Sequence, residues 1–112
     1  MLKGLVALVA VLALALGFVG VAAAADPELP LVIEKNRFQP DVIKVKAGVP
    51  FVLVITNKDK GPEEFDMAVP RIEKVVPAGK TVRLKIPALK PGKYPFVGEY
   101  HSETAKATIV AE

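Results

Sequence analysis

The chain has no cysteine and only one histidine, His101, in 112 residues. The first absence excludes disulfides and every chemistry that needs a thiol. The second leaves no imidazole pair for a proton shuttle, and no Ser-His-Asp set is recognisable around the one that remains. Charge of one sign is also scarce. Lys and Arg number 15 against 12 Asp and Glu, a formal +3, and the basic residues do not cluster as a nucleic-acid footprint requires. There is no internal repeat and no low-complexity linker, so the chain reads as one small domain.

A long apolar run occurs once, from Leu5 to Ala25, after the charged start MLKG and ending in VAAAA. A charged start, an apolar middle and a small-residue end describe a secretory signal peptide, with Ala23 and Ala25 meeting the A-x-A preference for cleavage after Ala25. The alternative is an uncleaved anchor, since about 20 apolar residues span a bilayer. The alanine tail suits a protease better than a membrane interface. The expected organisation is a leader at 1–25 and one exported domain at 26–112. Setting 25 residues aside leaves 87, and the leader holds one of the basic residues and none of the acidic ones. With no cysteine for an exported chain to oxidise, stability has to come from a packed core.

What remains is rich in short, alternating runs. DVIKVKAG puts Ile43 and Val45 on one face and Lys44 and Lys46 on the other. TVRLKIP sets Val82, Leu84 and Ile86 against Arg83 and Lys85. Alternation with period two marks half-buried strands. FVLVITN is apolar on both faces and reads as a central strand, LVIEKNRF as a first strand and KATIVAE as a closing one. KAGVP, NKDKGP, VPAGK and LKPGK are turn signals between them. Many short strands and no helical pattern predict an all-β sandwich or barrel.

Two stretches are more specific: F-x-P-x-x-I-x-V-x-A-G, from Phe38 to Gly48, and L-K-P-G-K-Y-x-F, from Leu89 to Phe96. With EEFDM and GKYPFVGEYH, they make residues 31–112 resemble a cupredoxin-like domain. The likeness is to the small periplasmic kind found with bacterial iron-uptake permeases, which share the PEEF and G-E-x-H stretches present here as Pro62–Phe65 and Gly98–His101. The resemblance implies a single Greek-key β-sandwich with a metal site at one pole. It also implies ligands that are missing. Gly98 stands in the Cys position, Glu63 in the upstream His position and Lys106 in the Met position, and only His101 matches.

A blue-copper site depends on its thiolate, so the resemblance does not extend to blue-copper electron transfer. The metal-ligand candidates that remain are His101, Glu99, Glu64, Asp66 and Glu63, with Glu103 further along. Carboxylates with a single imidazole suit Fe, Mn²⁺, Cu²⁺ or Zn²⁺ better than Cu⁺. Side chains two apart on a strand share a face. Glu64 and Asp66 form one such pair, opposite Phe65 and Met67. Glu99 and His101 form a second if the chain there is extended. Two such pairs at one pole would grip one ion, and without it the carboxylates would raise one another's pKa. An ordinary half-exposed acidic strand looks the same. Glu63 and Glu64 point to opposite faces, and strand register decides which one meets the site. Met67 is expected in the core, and Arg71 with Glu73 as a supporting pair.

The expected function is therefore a periplasmic metal-binding protein without a blue-copper centre. It would bind Fe or Cu ions as a component of iron uptake, beside an inner-membrane iron permease or a periplasmic oxidase component. The alternatives are a metal-free interaction module for a membrane transporter and a periplasmic copper carrier. Independent catalysis is not expected, because nothing in the chain supplies a second redox centre.

Overall fold

The computed structural model describes residues 25–112. The expected leader, 1–25, lies outside the described residues except for Ala25. The described chain is built of nine strands: β1 (Glu28–Glu34), β2 (Arg37–Gln39), β3 (Val42–Val45), β4 (Phe51–Asn57), β5 (Glu63–Met67), β6 (Ile72–Val76), β7 (Thr81–Ile86), β8 (Gly92–Gly98) and β9 (Lys106–Ala111). They form two sheets, one in the order β2-β1-β4-β7 and one in the order β3-β9-β8-β5-β6. β1 runs parallel to β4 and β3 parallel to β9; the other pairs are antiparallel. The chain leaves the first sheet at β3, returns at β4, and crosses again at β5, β7 and β8, which makes the expected all-β Greek-key sandwich. Among the described residues no helix is long and apolar enough to cross a membrane.

Alternation places the core as expected. Ile43 and Val45 of β3 are buried while Lys44 is exposed. β4, apolar on both faces, lies inside its sheet between β1 and β7. β9 closes the chain but not the sheet, since it sits between β3 and β8. Phe96 anchors the space between the sheets, with its ring 4.9 Å from that of Phe38 and 4.6 Å from that of Phe65. Each fully buried aromatic of this kind contributes about 1.5–3 kcal/mol of transfer free energy. Met67 is completely buried beside them, as expected.

One strand reading is corrected. LVIEKNRF is two strands, because Lys35 and Asn36 both take positive φ, 54° and 58°, and turn the chain back on itself as β2. A two-residue turn of this hand normally calls for glycine. Here the Asp59 carboxylate accepts the backbone N–H of Lys35 (2.8 Å) and of Asn36 (2.9 Å). Asp59 is held in turn by buried Asn57, whose Oδ1 accepts the Asp59 N–H and whose Nδ2 donates to the carbonyls of Gly61 and Val76. This network brings the β1–β2 turn and the β4–β5 loop to one pole of the sandwich, where β5 begins and β8 ends.

Candidate metal centre

Register determines which acids of EEFDM face which way. Phe65 pairs with Gly98 and Met67 with Phe96 across β5 and β8, so Glu63, Phe65 and Met67 all point into the sandwich. Glu64 and Asp66 point out. Glu63 and Glu64, between which the sequence left the choice of ligand open, thus stand in two different environments.

Glu63 is 1% exposed. Its Oε1 accepts the backbone N–H of Glu64 and of Tyr100, each at 3.0 Å. Its Oε2 lies 2.7 Å from Nδ1 of His101. A carboxylate can only accept, so Nδ1 of His101 donates to it, and in the neutral ring this tautomer leaves the lone pair on Nε2. No buried side-chain polar atom is left without a partner among the described residues.

The stretch after β8 is not extended. Glu99–His101 form a single 3-10 turn, closed further by bonds from the N–H groups of Thr104 and Ala105 to the His101 carbonyl. The expected pairing of Glu99 with His101 on one strand face is corrected accordingly. At three residues per turn, positions two apart point in different directions. His101 turns inward to Glu63, and Glu99 stays exposed. Both line a cleft of about 400 Å³ with Asn36, Tyr100, Glu103 and Thr104, and the Thr104 hydroxyl ties this loop to the Asn36 carbonyl.

On the outer face of the sheet, Glu64, Asp66 and Glu73 each place a carboxylate oxygen within 4.8 Å of the others. Asp66 and Glu73 are cross-strand neighbours on β5 and β6. Glu73 also binds Arg71, the supporting pair expected from the sequence. The Glu99 carboxyl is held above its ordinary value, chiefly by the charge of Asp66, with Glu64 and Glu73 adding to it. The expected like-charge effect is thus seen at Glu99. Arg71 is pushed up by Glu73 first, then by Asp66 and Glu99, and acts as the countercharge of the group.

Of the five predicted ligands, then, Glu64 and Asp66 converge with Glu73, Glu99 stands beside them, and buried Glu63 forms a separate couple with half-buried His101. The single ion gripped by Glu64, Asp66, Glu99 and His101 is not what the fold assembles. Glu73 was legible only as a partner of Arg71, because its place beside Asp66 depends on the β5–β6 register.

The donor set of the inner pole does not fit a copper ion bound through sulfur. There is no thiolate, and the space beside Gly98 is taken. A Cβ built on Gly98 would stand 2.5 Å from Cδ of Glu63, 2.7 Å from its Oε2 and 2.7 Å from Cβ of Ala105.

The sequence model of a protein family described as Cupredoxin-like domain matches residues 5–111. An uncharacterized protein of Rickettsia prowazekii (strain Madrid E) is 31% identical over 83 residues, 74% of this chain; the chain spans 66% of that relative's length, just under two thirds. Among solved structures, auracyanin A, a "blue" copper protein from the green thermophilic photosynthetic bacterium Chloroflexus aurantiacus, superposes with a TM-score of 0.68 at 12% identity, over 79% of this chain and 100% of that one. The metal-binding domain of the Cu(I)-exporting P-type ATPase of Streptococcus pneumoniae, solved with Cu(I), does so with a TM-score of 0.66 at 13% identity, over 81% of this chain and 92% of that one. At these identities the likeness to both structures is one of fold.

Proposed function

The chain belongs to the cupredoxin-like domain family, and from that premise we propose that it is a metal-binding member that works outside the interior site. In this reading Glu64, Asp66 and Glu73 hold one divalent cation on the outer face of β5 and β6, with Glu99 as a fourth oxygen donor. The observation that carries it is the convergence of three carboxylate oxygens within 4.8 Å. An all-oxygen set suits Fe²⁺ or Mn²⁺ and accepts Cu²⁺, but disfavours Cu⁺. The related structures solved with copper therefore do not transfer their metal to this chain. Arg71 offsets the repulsion while the site is empty and gives way as the ion enters.

The setting we propose is the periplasm, after removal of the leader, with the ion passed to or from an inner-membrane iron permease or an oxidase component. We assign the chain no reaction of its own. The test is calorimetric titration of the exported protein with Fe²⁺ under anaerobic conditions and with Cu²⁺. One site per chain that weakens in Asp66→Asn and Glu64→Gln supports the reading; affinity unchanged in both variants rejects it. A second reading, a metal-free module that docks on a transporter, draws on the filled inner pole. Transporter capture that is equal with and without a chelator favours it.

A further inference from the structure

The inner pole is filled by a matched set of residues. Gly98 has φ −87° and ψ 108°, an extended conformation open to any residue. The glycine is therefore needed for room, not for backbone freedom, and the room is occupied by the Glu63 carboxylate. A carboxylate this deeply buried is costly unless it is hydrogen-bonded. Glu63 finds three donors, one in its own strand at Glu64 and two in the loop at Tyr100 and His101. Two of those three bonds reach across 37 and 38 residues of chain to the 99–105 loop. That loop is closed at its base by the bond from Gly98 N–H to the Ala105 carbonyl, 2.9 Å. The positions involved, 63, 98 and 101, are those to which the family resemblance assigns ligands.

We propose that the Glu63 carboxylate replaces the interior metal ion. Its bonds to Tyr100 and His101 are the cross-link between β5 and the pole loop, and they close the interior to metal while presenting Nε2 of His101 to the outer cleft. Glu63 is thus a positioning residue, and Gly98 is the space it requires. The inference is independent of the outer carboxylate cluster: loss of cation binding in Asp66→Asn would leave it untouched.

The test compares the unaltered protein, Gly98→Cys, and the double variant Glu63→His with Gly98→Cys, each titrated with Cu²⁺ alone. A copper–thiolate charge-transfer band is the readout, since a Cys with two His is the donor set that produces it. The band is expected in the double variant and absent from Gly98→Cys, where Glu63 still fills the site. A band of equal strength in Gly98→Cys alone overturns the proposal. Two measurements keep it falsifiable if a variant fails to fold. In the unaltered protein, ¹H–¹⁵N correlation of the His101 ring is expected to place the proton of the neutral ring on Nδ1, and a proton on Nε2 overturns it. In Glu63→Ala, the Tyr100 amide is expected to exchange at least about tenfold faster; exchange at the original rate overturns the cross-link.

Discussion

Glu63 and Glu64 are neighbours on one strand with identical side chains, yet they sit in opposite environments. Glu63 points inward, is fully buried and is held by three donors. Glu64 points outward into a group of like charges relieved by one arginine. The inner carboxylate is committed to structure. The outer ones are left under mutual repulsion, which a cation would relieve. The comparison teaches that a carboxylate's chemical availability is determined by what the surrounding backbone donates to it.

The largest effect should come from breaking the inner side. Glu63→Ala is expected to destabilise the fold by about 3–5 kcal/mol, because it strands His101 Nδ1 and two backbone N–H groups. Glu64→Ala should stay within about 0.5 kcal/mol of the unaltered protein. Urea denaturation of the two variants measures the contrast directly, and equal losses would abolish it. Next, Gly98→Ala should cost about 1–3 kcal/mol through overpacking against Glu63 and Ala105, read as a lowered urea midpoint.

The outer side should respond in binding and not in stability. Asp66→Asn is expected to weaken Fe²⁺ or Cu²⁺ affinity by about tenfold or more while leaving the denaturation midpoint nearly unchanged. His101→Ala should show the reverse pattern, with affinity preserved and stability lost. The smallest effect concerns pH. The Glu99 carboxyl is raised above 4.5 in the fold, so the native state binds more protons than the unfolded chain just above that pH. Its contribution to stability is therefore present at low pH and lost as pH rises through the raised value. Glu99 is exposed, so the change is small. Glu99→Gln should slightly raise the midpoint of the ion-free protein at pH 7 and leave it unchanged at pH 4, as a denaturation series in pH would show.

Much of the fold was legible because strand burial leaves a period-two trace. Ile43 and Val45, or Phe65 and Met67, announce their inward face without any knowledge of their partners. The turn at Lys35–Asn36 left no such trace, since it lacks glycine and depends on Asp59, more than twenty residues away. The site was legible only in its residue types. Alternation showed that Glu64 and Asp66 share a face. It could not supply Glu73, which reaches that face through the β5–β6 register. Nor could it show that Glu99–His101 coil into a 3-10 turn that sends the imidazole inward.

By itself, the sequence determined the alternating strands of an all-β sandwich or barrel and ruled out a thiolate metal site, since periodicity and the absence of cysteine are local facts. Only the tertiary structure decided that Glu63 fills the space Gly98 leaves open, and that three outward carboxylates meet on one face. Both depend on which strands lie side by side and which loop covers the pole, and packing between distant segments sets those.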